Sequence, residues 1–134
     1  MKKLILTLIV FLFTVGCAAL FIPPDEEIAK ADYGSYPSNY EEIVKKHVTD
    51  YLLDPESAKF SNWKEPRKGW VRKSGSWHYG YKVCVYVNAK NRMGGYTGRK
   101  LTYVLIRNGN IIETEGGDYK YGTHGEEIVI NLCK

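Results

Sequence analysis

Tyr79 to Arg99 reads YGYKVCVYVNAKNRMGGYTGR, and this stretch decides the fold. Tyr79, Tyr81, Val83, Val85 and Val87 alternate with Lys82, Cys84, Tyr86 and Asn88. Successive side chains of a strand point to opposite faces, so this period of two predicts a strand over Trp77 to Asn88. Large groups on both faces make it a central strand with a helix on one side. Downstream, Leu101 to Arg107 and Ile111 to Glu115 read as two further strands, joined by Asn108-Gly109, a dipeptide that tight hairpins prefer. Antiparallel strands in sequence order follow.

Upstream, Tyr40, Ile43, Val44, His47, Val48, Tyr51 and Leu52 recur at helical spacing, with Glu41, Glu42, Lys45, Lys46 and Asp50 off the stripe. This predicts one amphipathic helix ending near Leu53, with Ser38 and Glu41 as its capping box. His47 has no acidic or cysteine partner at helical spacing and reads as a packed histidine at the core edge. Asp54 and Pro55 stop this helix and start a single turn, with Asp54 as cap. Ala58 to Trp63 is expected to be a short strand, and Lys64 to Ser76 a basic, turn-rich hairpin punctuated by tryptophans. Gly116 to Gly125 reads as a loop carrying Tyr119, Tyr121 and His124. Glu126 to Cys133 fits a strand through Ile128 to Ile130 and a helical face through Ile128, Val129, Leu132 and Cys133, and the pattern leaves both open. The fold class expected is α+β: an N-terminal amphipathic helix packed on a small antiparallel sheet, with one disulfide.

A chain of 134 residues has room for one small domain. Its eleven tyrosines and three tryptophans favour a β-rich core of large amphipathic rings. The formal charge is +4, and without Lys2 and Lys3 of the leader it is +2, too weak a balance to imply nucleic acid. Of three cysteines, Cys17 closes an apolar run, which leaves Cys84 and Cys133 as a pair for an oxidising compartment.

The N-terminus gives an address. Lys2 and Lys3 precede the apolar run Leu4 to Val15, and small residues follow, the layout of a bacterial secretory signal. Thr14-Val15-Gly16-Cys17 also resembles a lipobox, in which cleavage before the cysteine leaves a lipidated Cys17 at the new N-terminus. Position 14 departs from that pattern, where leucine is usual. Ala18 is not the aspartate that holds such proteins in the inner membrane of Gram-negative cells, so the expected location is the periplasmic face of the outer membrane. Two other readings stay open: Leu4 to Ile22 kept as a membrane anchor, and cleavage after Ala19 with release into the periplasm. The expected boundaries are a signal over 1–16, a lipidated cysteine and flexible tether over 17–37, and the domain over 38–134.

The elements Asp54-Pro55-Glu56-Ser57-Ala58-Lys59-Phe60, Val83-Cys84, Val87-Asn88-Ala89-Lys90-Asn91 and Gly94-Gly95-Tyr96-Thr97-Gly98 resemble a family of small uncharacterised lipoproteins of Gram-negative bacteria and their prophages. The likeness spans about Tyr40 to Leu105. Val85 stands where that family usually has glycine after the motif cysteine, and Arg99-Lys100 replace an aromatic stretch. The resemblance implies export and an envelope- or phage-related role, and carries no enzymatic activity.

Site candidates are few. Asn88, Asn91, Gly94, Gly95, Tyr96, Thr97 and Gly98 combine permissive backbone with polar edges beside a stacking ring, which suits a binding loop. It lacks the lysine and hydroxyl of a phosphate loop. Trp70 and Arg72 suit contact with an anionic envelope component, such as a headgroup or wall polymer. His78 and His124 have no serine elbow, and no metal-ligand spacing occurs. The expectation is therefore a non-enzymatic envelope binding module without cofactor or metal, its partner an envelope protein, a phage protein or a cell-wall polymer. The alternatives are a prophage-type exclusion factor or lysozyme inhibitor, and an unrecognised envelope hydrolase.

Overall fold

The computed structural model describes residues 22–116 and 126–134, with the side chains of Glu126 and Glu127 left aside. The lipobox with Cys17, the signal segment and the loop with Tyr119, Tyr121 and His124 lie outside the described residues. Two compact units divide at Ala31 and Asp32. Among the described residues of the first, the helix α1 (Asp25–Lys30) carries Asp25, Glu26 and Glu27 in its first turn, where they complement the helix dipole. Lys30 pairs back to Glu26 at 2.6 Å.

In the second unit, α2 (Tyr40–Thr49) and a single 3-10 turn, Pro55–Ser57, precede four strands: β1 (Lys59–Lys73), β2 (Ser76–Asn88), β3 (Lys100–Arg107) and β4 (Asn110–Gly116). A short helix, α3 (Glu126–Leu132), ends the chain. The strands form one antiparallel sheet in the order β1-β2-β3-β4. Asn108 and Gly109 take positive φ values of 49° and 76° in the β3–β4 hairpin, the pair of left-handed positions a tight two-residue loop requires.

Strand parity sorts the core into two clusters, one on each face. Val83, Val85 and Val87 join Val104, Ile106 and the α2 residues Val44 and Val48. On the other face Cys84, Tyr103 and Leu105 join Val129 and Cys133 of the C-terminal segment. The sequence placed a helix on one side of β2 only, whereas the end of the chain, which fitted either form, is helical and covers the second face. The Cys84–Cys133 bridge ties it there across a sequence separation of 49.

Several local expectations are corrected. Asn39, not Ser38, is the N-cap of α2, and no side chain bonds there. Glu41 instead receives the Lys45 ammonium at 2.9 Å. Regular helix stops at Thr49, four residues before Leu53, and Tyr51 is 59 % exposed. Asp54 does cap the single turn, but through its carbonyl, which accepts the Ser57 hydroxyl at 2.7 Å and the Ser57 amide at 3.1 Å. The largest difference lies in Lys64 to Ser76: the expected hairpin is there, but it is strand rather than turn-rich, because β1 continues to Lys73 through two bulges and turns only at Ser74 and Gly75. Asp32 to Tyr36, read as tether, lies on the sheet. Tyr33 is buried against Tyr79, at 5.5 Å between ring centroids, and Asp32 pairs with Arg107 at 2.7 Å.

Tyr103 is 1 % exposed, and its hydroxyl finds no hydrogen-bond partner among the described residues. Burial, with Glu113 and Glu115 nearby, pushes its phenol far above the usual range. A buried unsatisfied hydroxyl costs about 1–3 kcal/mol, so Tyr103→Phe is expected to stabilise the domain by about 1 kcal/mol. The urea midpoint reads this directly, and a midpoint below that of the unaltered protein would contradict it.

Candidate functional site

The glycine-rich loop between β2 and β3 is built from the sequence upward as a closed unit. Asn91 is its hub: its side-chain carbonyl accepts the Met93 amide at 2.9 Å and the Gly95 amide at 3.2 Å, and its own amide donates to the Gly95 carbonyl at 2.8 Å. Asn88 accepts the Gly98 amide at 3.1 Å. The Thr97 amide and hydroxyl both donate to the Ala89 carbonyl, at 3.2 and 3.4 Å. At the base, the Lys90 amide donates to the Ser57 hydroxyl at 2.9 Å, which locks the loop to the turn after α2. These polar edges hold the loop's own backbone and are not held open for a ligand. They leave the loop shaped before any partner arrives.

What the loop presents is its tip. Met93 is 94 % exposed and Tyr96 43 %. Lys59 lies over the Tyr96 ring at 4.4 Å and Lys90 at 5.7 Å, close enough for cation–π attraction. Gly94, Gly95 and Gly98 are exposed beside them.

Trp70 and Arg72 are not brought to this site. They lie on β1 toward its hairpin with β2, where Trp70 pairs with Tyr79 and Arg72 with Trp77, while Asn88 pairs with Lys59 at the other end of the same ladder. Arg72 sits over the Trp77 ring at 5.4 Å. Lys64 and Arg67 of that stretch, with Lys82 of β2, serve α3, while Lys68 lies over the Tyr33 ring at 4.8 Å. Lys64 donates to the Cys133 carbonyl at 2.9 Å, Arg67 to the Cys133 and Lys134 carbonyls at 3.3 and 2.9 Å, and Lys82 to the Leu132 carbonyl at 3.0 Å. These carbonyls carry the negative end of the helix dipole, and cations there are stabilising. Burial, then the neighbouring Arg67 and Lys64, holds the Lys82 ammonium below its usual pKa. Lys64, Arg67 and Lys82 are thus engaged within the fold, as is Arg72 over the Trp77 ring.

No family model, curated protein or solved structure matches this chain. Among the described residues no group of three or more His, Cys, Asp or Glu side chains could hold a metal ion. Among them, too, no helix is long and apolar enough to cross a membrane.

One feature that the sequence reading missed lies at the edge of the sheet. His47 is half-buried, with Nε2 at 2.9 Å from the Thr114 hydroxyl and its ring 5.1 Å from that of Tyr51. With Lys73 and Ile111 to Glu113, these residues line a cavity of about 270 Å³. The signal in the sequence was the polar ring inside an apolar stripe, but its partner Thr114 stands 67 residues away.

Proposed function

We propose that this chain is an exported, lipid-anchored envelope protein whose domain is a non-enzymatic interaction module, with the tip of the Asn88 to Arg99 loop as its contact surface. The secretory layout and the lipobox-like Thr14 to Cys17 support the address, as does the resemblance to envelope lipoproteins.

One observation carries the reading of the domain: chain attachment and loop tip lie at opposite ends of β3. The incoming segment is fastened where β3 ends, through Asp32 to Arg107 at 2.7 Å and the Ser35 amide to the Asn108 side chain at 2.9 Å. The loop leaves where β3 begins, at Lys100. Eight residues of strand separate the two by roughly 24 Å. A tether at one end thus leaves the other free to reach outward. Because the loop is held by its own hydrogen bonds and by Ser57, a partner need not order it, which lowers the entropic cost of binding. Met93 offers an adaptable apolar anchor. Lys59 and Lys90 around Tyr96 favour an acidic rim on the partner.

In-cell crosslinking tests this reading. A photoreactive residue at Met93 is expected to give a discrete adduct, and one at Lys46, exposed on α2, none. Cys17→Ser is expected to stop fatty-acid incorporation and to weaken the Met93 adduct. The same adducts from both positions, or none from Met93, would sink the loop as the contact surface, and unchanged labelling of Cys17→Ser would sink the lipid anchor.

A further inference from the structure

The outer edge of β4 carries chemistry that the loop does not use. β4 is paired with β3 and, among the described residues, with no strand on its other side. Main-chain groups along such an edge form a template for another strand. At the centre of this edge, side chains occupy two of them. The Lys73 ammonium donates to the Ile112 carbonyl at 2.9 Å, and the Glu113 carboxylate accepts the Thr114 amide at 3.0 Å. These side chains pair with each other at 3.1 Å, with Glu113 only 12 % exposed.

The carbonyl and the amide flank Glu113. An added strand that takes both over therefore sets one of its residues opposite Glu113, whichever direction it runs. The neighbours of that residue point to the other face of the sheet. On that face Ile111 packs with the cluster of α2, and the cavity bounded by His47, Tyr51, Ile111 and Thr114 lies beside it. Its volume, about 270 Å³, falls just below the range of about 300–1,000 Å³ that takes a drug-sized ligand, and suits a single large apolar side chain.

We propose that the β4 edge is a strand-addition site for an extended peptide with a basic residue opposite Glu113 and an apolar residue beside it, gated by Lys73. The peptide's cation takes the place of Lys73 on Glu113. Its backbone takes over the Ile112 carbonyl and the Thr114 amide, and its apolar side chain enters the cavity. Main-chain bonds then supply affinity, and the charge and the cavity supply selectivity. A second copy of β4 is the poorer occupant, because pairing about Glu113 sets two carboxylates face to face, which is destabilising.

The test is a titration of the isotope-labelled full chain in detergent micelles, followed through amide chemical shifts. The probes are the peptides acetyl-Thr-Ile-Lys-Ile-Thr-amide and its counterpart with Glu in place of Lys. The lysine peptide is expected to shift Lys73, His47 and Ile111 to Thr114, and to bind about fivefold more tightly than the glutamate peptide. Glu113→Gln is expected to erase that preference, and Lys73→Ala to tighten the lysine peptide by about fivefold through loss of the gate. Equal affinity of the two peptides for the unaltered protein would overturn the proposal, as would shifts that spare β4 in both the protein and its Lys73→Ala variant. Self-association of Glu113→Gln without peptide binding would assign the edge to a second copy and overturn it likewise.

Discussion

Replacing Cys84 and Cys133 together by alanine is expected to lower the stability of the domain by about 4 kcal/mol and its melting temperature by roughly 15–30 °C. The bridge spans 49 residues of chain, and in the chain-entropy account a loop of that length restrains the unfolded ensemble by about that amount. Little else can replace it. α3 has seven residues, and isolated helices below about 12–15 residues are marginal in water. Val129, 1 % exposed, and Leu132 anchor it to the sheet, and Lys64, Arg67 and Lys82 hold its carbonyl end. Cations at a helix end contribute about 0.3–1 kcal/mol each, less than the bridge even when three act together. The loss should therefore be uneven. In hydrogen exchange, the amide of position 133, which in the bridged protein donates to the Val129 carbonyl at 3.0 Å, should lose protection first, while β3 stays closed at low temperature. An unchanged melting temperature on reduction would contradict the argument.

The parts of this fold that were legible in the sequence are those decided by near neighbours. Alternation fixed β2, and Asn108-Gly109 fixed the turn into β4, because period and turn chemistry are both local. Cysteine arithmetic gave the bridge. β1 was legible only in its first residues. It is an edge strand whose alternation is broken by bulges between Ser61 and Lys64 and between Lys64 and Arg67. Its outer positions carry Lys64 and Arg67, charged for the sake of carbonyls 66 to 69 residues away. A basic run of that kind looks like a solvated loop until its acceptors are placed beside it. The end of the chain fitted two periods, and covering the Cys84, Tyr103 and Leu105 face decides for the helix.

The candidate loop was visible as a segment, but the work of its asparagines was not. Asn88 and Asn91 were read as ligand edges because asparagine offers both donor and acceptor, yet both side chains close backbone bonds inside the loop. Its exposed anchor, Met93, carries no motif. The β4 edge was less legible still, since it joins His47 of α2, Lys73 of β1 and Glu113 of β4, which only the folded sheet brings together.

Gly80→Val is expected to cost about 2–3 kcal/mol and to release Lys73 from the β4 edge. A Cβ built at Gly80 meets the Ile106 carbonyl oxygen at 2.5 Å and its carbon at 3.1 Å, and both belong to the backbone of β3. Neither can yield without moving the strand. Two effects run the other way: valine favours strands by up to about 1 kcal/mol, and loss of glycine narrows the unfolded ensemble by about 0.4–1 kcal/mol. The backbone clash outweighs both, because β2 and β3 are the two central strands and neither can shift without disturbing both core clusters. Gly80 also marks the point where β2 runs past β3: Tyr81 pairs with Ile106, while Ser76 to Gly80 pair with β1 alone. The β1–β2 hairpin beyond it carries Lys73 to the Ile112 carbonyl on the far edge strand. Widening the sheet at Gly80 should therefore swing the hairpin away and leave Glu113 without its ammonium partner. Denaturant unfolding at constant m-value measures the first effect, and the amide shifts of Ile112 to Thr114 measure the second. Gly95→Ala is the control, since an added Cβ there has only the Asn91 side chain at 3.9 Å, and a change within about 0.5 kcal/mol is expected. A Gly80→Val protein that keeps its midpoint would show that β3 can yield, and one that loses stability with unshifted β4 amides would separate the hairpin from the gate.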